Sequence, residues 1–166
     1  MNRRLQKRRH RSFGAAGPRV LAVIAVAALL AACGPLGVVD KAPPGIELDR
    51  LEVDGDRAAV HLLVHNRNDI AMALSAVRLE FSVAGDELLS AERSRALEIG
   101  VRGREPLEIA APARRAALRA LEPGSDRSER VAFTMTGTLT LEGQADRDFT
   151  VEGFLHPVPG RPGTWR

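Results

Sequence analysis

Two histidines, His61 and His65, stand four residues apart in a segment where Ala58, Val60, Leu62 and Val64 occupy every second position. On a helix that spacing would bring both imidazoles to one zinc ion, which needs ligand nitrogens about 2 Å away. The alternation is that of a strand, on which four residues span about 13 Å. The two side chains therefore cannot share an ion and read as surface histidines. Glu52, Asp54 and Asp56 gather three carboxylates, but the further oxygen ligands of a calcium loop are missing, and Asp54-Gly55 is a tight-hairpin signal. Ser75, Ser82 and Ser90 lie in no G-x-S-x-G elbow, and there is no glycine-rich phosphate loop. These residues predict a protein that is not an enzyme, with no catalytic residue, cofactor or metal.

Cys33 is the only cysteine, so neither an intramolecular disulfide nor a cysteine metal cluster can form. Its surroundings point to different chemistry. Residues 1–32 hold seven of the 24 lysines and arginines and none of the acids, and Val20 to Ala32 is a run of apolar and small residues. Thirteen helical residues reach about 20 Å against a bilayer core of about 30 Å. The run is too short for a permanent span and suits the apolar region of a signal peptide. Leu30-Ala31-Ala32-Cys33 resembles the bacterial lipoprotein signal. The resemblance implies recognition of Leu30, Ala31 and Ala32 by the lipoprotein signal peptidase. It also implies a diacylglyceryl thioether on Cys33, which becomes the new N-terminus. Two or three acyl chains, at about 0.8 kcal/mol per buried CH₂, hold far more firmly than one. Gly34 replaces the Asp that marks inner-membrane retention, which leans toward the periplasmic face of an outer membrane in a Gram-negative cell.

The overall charge of +3 belongs to this leader: beyond residue 32, 17 bases face all 21 acids, a net of −4. With no Tyr and one Trp, Trp165, the remainder lacks both the electrostatic and the stacking footprint of a nucleic-acid binder. The partners expected are instead a membrane, through the lipid, and envelope proteins or lipids. The sequence fixes no oligomeric state.

Hydrophobic patterning divides the rest. Residues 33–45 contain Pro35, Pro43 and Pro44 and read as a tether. Residues 46–157 form one domain. Ile46 to Val53 is a strand whose alternation slips at Arg50-Leu51, as at a bulge; Arg57 to Asn66 and Leu74 to Ala84 follow, the latter turning at Gly85-Asp86. Glu87 to Ala91, Arg95 to Val101 and Leu107 to Ala111 are shorter strands. Pro112 to Leu121 is a helix, with Pro112 in its first turn, Ala117, Leu118 and Leu121 as its apolar stripe and Pro123-Gly124 as its stop. Arg130 to Leu141 and Asp148 to Leu155 complete the set, and 158–166 reads as a flexible tail. The fold class is all-β with minor α: an immunoglobulin- or fibronectin-III-like antiparallel sandwich of about seven strands with one short helix.

Asn66-Arg67-Asn68, Met72-Ala73-Leu74 and the strand Leu79-Glu80-Phe81-Ser82-Val83-Ala84-Gly85, with Gly153-Phe154-Leu155-His156-Pro157 at the end, occur in a distinctive order. It resembles that of the type-2 late-embryogenesis-abundant family, the water-stress and hypersensitive-response domain. Arg67, Met72 and Ala73 depart from that family's Asn-Pro-Asn and Leu-Pro-Leu; a generic immunoglobulin-like sandwich with a coincidental N-x-N is the alternative. The resemblance implies a non-enzymatic domain associated with desiccation and other stress. Asn66, Asn68, Leu74 and Gly85 would be its structural motif residues, since Asn side chains bond nearby backbone. The function expected is stress protection or envelope maintenance by an anchored lipoprotein; the alternative is an envelope module that binds an apolar ligand or a protein. Replacing Cys33 by Ser should abolish processing and release the protein from the membrane fraction, read by fractionation and by the mass of the mature N-terminus. Unchanged processing and fractionation would refute the anchor.

Overall fold

The computed structural model describes residues 42–122 and 130–166. The leader, Leu30, Ala31, Ala32, Cys33, the tether as far as Lys41 and the helix stop Pro123-Gly124 lie outside them. Eight strands and one helix follow in order: β1 (Gly45–Asp54), β2 (Arg57–His65), β3 (Met72–Val83), β4 (Asp86–Ile99), β5 (Arg104–Pro112), α1 (Arg115–Leu121), β6 (Val131–Leu141), β7 (Arg147–Leu155) and β8 (Thr164–Trp165). Strands pair as β5-β2-β1-β8 in one sheet and β4-β3-β6-β7 in the other. All of these pairings are antiparallel. The fold is an all-β sandwich with minor α.

Alternation built the core. In β2, Ala58, Val60, Leu62 and Val64 are buried while the residues between them are not. Val131, Phe133, Met135, Leu139 and Leu141 do the same in β6. Phe81 and Phe133 stack with ring centroids 5.4 Å apart and planes 7° from parallel, an arrangement that adds to their burial. Gly137 interrupts the β6 series because a Cβ there would come 2.7 Å from the Phe149 ring and would also strike the Arg78 carbonyl.

Register breaks explain where alternation fails. β1 shifts register between Leu48 and Arg50, leaving Asp49 as the extra residue. A second bulge, in β4, leaves Leu88 unpaired between Glu87 and Leu89, and both leucines are buried. The weak segments expected at 87–91 and 95–101 are accordingly one 14-residue strand. Its middle, Glu92 to Ala96, is exposed because β4 is an edge strand there, paired only to β3. The turn before β4 centres on Ala84 and Gly85, with φ of 53° and 91°, the two left-handed positions of a type I′ hairpin.

Two expectations are corrected. The helix begins at Arg115, with Arg114 as its extended N-cap, and Pro112 is the last residue of β5. Ala113 N–H donates to the Asp56 carbonyl (2.7 Å) and Arg114 N–H to the Leu88 carbonyl (2.8 Å), so the chain is tied to two strand ends before it can coil. Residues 158–166 are not a loose tail. β8 pairs with Leu51 and Glu52 of β1, Val53 N–H donates to Gly163 O (2.7 Å), and Trp165 is only 8% exposed. The indole has apolar surface to bury and the β1 edge has backbone groups to satisfy. Gly163, at φ +76°, permits that approach: a Cβ would collide with the Val53 carbonyl.

Pairing also defines two ends. At one lie the start of β1, the β2–β3 loop and the β4–β5 turn; at the other lie the Asp54–Arg57 and Val83–Asp86 hairpins, the start of α1 and the turn from β7 toward β8.

Candidate functional site

Among the described residues Asn66 is the one polar side chain that is fully buried. It follows directly on β2, where the chain leaves one sheet for the other. Its Nδ2 donates to the carbonyls of Ile70 (2.7 Å) and Gly100 (2.9 Å), with that of Ile99 at 3.3 Å. Its Oδ1 accepts from the Asn68 backbone N–H (3.0 Å) and from Asn68 Nδ2 (3.3 Å), the local Asx geometry that short amide side chains favour. Asn66 N–H donates to the Gly103 carbonyl at 2.9 Å. One side chain thus holds the β2–β3 loop closed and fastens it to the β4–β5 turn.

Asn68 extends the network to the chain upstream. Its Nδ2 donates to the Ala42 carbonyl (2.9 Å), its Oδ1 accepts from Ala42 N–H (2.8 Å), and its own carbonyl accepts from Arg102 N–H (3.2 Å). Arg102 also donates through Nε to Asp69 Oδ1 at 2.8 Å, and that bond holds the Asp69 carboxyl below its ordinary pKa. The last residues of the proposed tether are therefore tied down. Arg67 lies over Gly45, where a Cβ would stand 2.9 Å from Nη2.

Asn66 and Asn68 come together; the other two motif residues do not join them. Leu74 is core, paired with Leu97 and Leu141, and Gly85 turns the chain at the opposite end. His61 meets Glu52 on the outer face of its sheet, Nε2 to Oε2 3.3 Å, without hydrogen-bond geometry. Glu52 is held below its usual pKa chiefly by the hydrogen bond from Arg50 Nε at 2.7 Å, with His61 adding to this. The strand neighbours of His61 are Arg50 and Glu108, neither of them the serine, cysteine or threonine of a hydrolytic triad. Among the described residues no three His, Cys, Asp or Glu side chains gather as metal ligands.

A groove of about 580 Å³ opens at the end opposite the asparagines, lined by Val53, Leu118, Leu121, Val158, Pro162 and Trp165 among others. Its volume and apolar lining fall in the range of small-ligand sites. Periodicity gives no sign of this groove, because one wall is residues 157–165, which do not alternate; Trp165 is the available signal in the sequence.

Residues 61–153 match the LEA_2 family model, late embryogenesis abundant protein. The chain belongs to this family. The matched span runs from the middle of β2 into β7, as far as Gly153, and contains the whole asparagine clamp except Ala42. Two solved structures share this fold at low identity. The solution structure of the Arabidopsis thaliana protein AT1g01470 aligns with a TM-score of 0.56 at 14% identity, covering 73% of this chain and 85% of that one. That of At2g46140.1, described as a late embryogenesis abundant (LEA) protein, gives 0.51 at 12%, covering 93% and 98%. No curated protein matches this LEA chain by sequence.

Asn66→Ala leaves the Ile70 and Gly100 carbonyls and the Asn68 N–H without their partner, and should cost about 3 kcal/mol. Asn66→Asp turns a carboxylate toward three carbonyl oxygens, which raises its pKa in the folded state. Its deficit at pH 7 should therefore shrink as pH falls through the carboxylate range. The parent should behave oppositely: Glu52 and Asp69 have depressed folded pKa values, and their small contribution is lost as they protonate. Urea unfolding at pH 7 and at about pH 3, below the unfolded carboxylate values, checks both signs.

Proposed function

We propose that this LEA protein is a lipid-anchored envelope protein, held through an acylated Cys33. In this reading its sandwich acts without covalent chemistry, in desiccation and stress protection or in envelope maintenance, by contact with proteins or lipids. The observation that carries the reading is the family match over 61–153, which coincides with a sandwich whose one fully buried polar side chain among the described residues is engaged in holding loops. The lipoprotein signal at Leu30-Ala31-Ala32-Cys33 supports the anchor, and Gly34 favours an outer membrane, facing the periplasm, in a Gram-negative cell. Deletion of the gene should lower survival of drying and osmotic shock, and the purified protein should keep a dried client enzyme from aggregating. Unchanged survival together with an unprotected client would end this reading.

The apolar groove favours a second reading, a module that binds an apolar ligand. Trp165 in its wall is a built-in reporter. Titration with a long-chain fatty acid should shift its fluorescence saturably, and Leu118→Glu, at a half-buried position, should remove the response while leaving the fold intact. A signal that never saturates, or one that survives the substitution, would count against a site.

A further inference from the structure

Three large hydrophobic residues are exposed among those described: Ile70 (47%), Val101 (55%) and Phe154 (51%). Phe154 is covered on one face by the Arg130 guanidinium, 4.7 Å from the ring centroid. The other two sit on neighbouring loops at the asparagine end. Their proximity is imposed by Asn66, whose Nδ2 holds the Ile70 carbonyl and the carbonyl just before Val101 at once. The same network fixes Ala42, so the chain comes into the domain beside them. Exposed hydrophobics scattered singly need no explanation; two on loops locked together at that point do.

The two loops themselves carry few charges. Residues 66–71 and 100–103 carry Arg67, Asp69 and Arg102. Asp69 is neutralised by Arg102 at 2.8 Å, and Arg67 has no acidic partner among the described residues, so these two loops carry one unpaired positive charge, while Glu98 and Glu142 lie on the neighbouring strand ends. Cys33 precedes Ala42 by nine residues, a reach of at most about 30 Å. A domain tethered so closely keeps this end near whatever holds the thiol.

We propose that this end of the sandwich is a bilayer-contacting tip. Ile70 and Val101 enter the boundary between headgroups and acyl chains, and Arg67 meets anionic headgroup phosphates. The proposal rests on the reading of Cys33 as the anchor. Because the loops are already fixed by hydrogen bonds, docking demands little new ordering. It also sets the molecule end-on, with the apolar groove directed away from the membrane.

The test uses the chain from Cys33 to Arg166, which contains the compact unit 41–166. Its thiol is coupled to maleimide-bearing phosphatidylethanolamine in phosphatidylethanolamine–phosphatidylglycerol vesicles, with and without brominated phosphatidylcholine. Native Trp165, paired with Leu51 and about 20 Å along β1 from Gly45, should not be quenched by bromine. In Ile70→Trp and Val101→Trp the added emission should be blue-shifted and mostly quenched. Added emission that stays water-like overturns the tip. So does emission that is blue-shifted yet unquenched, which would place the residue against protein such as a second copy. The mass of Cys33 from cells reports on the anchor separately. An unlipidated Cys33 with a quenched tip sinks the anchor and leaves the tip standing; a lipidated Cys33 with an unquenched tip does the reverse.

Discussion

The arrangement of this domain depends on one buried primary amide. Asn66 sits where two connections between the sheets pass each other, and its amide, fully buried, bonds the carbonyls of Ile70 and Gly100 on the two exposed loops. A buried amide left without partners costs about 1–3 kcal/mol, so the Asn66 side chain has to find them on the loops beside it. A side chain at this position must therefore donate twice and, for Asn68, accept as well. Asparagine does this with a stem short enough to stay local. The consequence is geometric: β2 and β5 in one sheet, and β3 and β4 in the other, are held in fixed relation at that end.

The opposite end is governed by apolar burial and backbone pairing. β8 contributes only two residues, yet it covers part of the β1 edge and brings Trp165 against the core. His156 and Arg166 exchange both backbone hydrogen bonds, at 2.6 and 2.9 Å, so the last residue is fastened to the end of β7. The β4 edge is managed differently. Glu92, Arg93 and Arg95 crowd its exposed middle, charges that discourage pairing with another chain's edge. Arg93 reaches the Glu108 carbonyl of β5 at 2.7 Å and so joins the edges of the two sheets. One end of the molecule is thus fixed by polar bonds around a locked pair of loops, and the other by packing around an apolar groove. That division lets a single small domain present two different surfaces.

Much of this was legible in the residues because its causes are local. Alternation in β2, β3 and β6 reports which face is buried, and a positive φ is foreshadowed by a glycine beside an aspartate. The slip in β1 pointed to a bulge within a residue or two of where it lies. The asparagine pair was legible as a loop clamp because a side chain bonding two residues onward needs only its own segment. The halves of β4 could not be joined by pattern, since an edge strand with a bulge and an exposed middle carries no alternation there; its continuity comes from β3. Pro112 looked like a helix start because proline is preorganised for one, but the hydrogen bonds from Ala113 and Arg114 to Asp56 and Leu88 belong to distant segments.

The sequence alone determined the sandwich class, the face each main strand turns inward, the excess of positive charge in the first 32 residues and the turn residues, because period, propensity and charge are properties of short stretches. Tertiary structure decided what Asn66 holds, that the last nine residues close an edge, where the groove opens and that Ile70 and Val101 share one tip. Each of these depends on groups more than thirty positions apart in the chain, and only the folded backbone brings such groups within bonding distance.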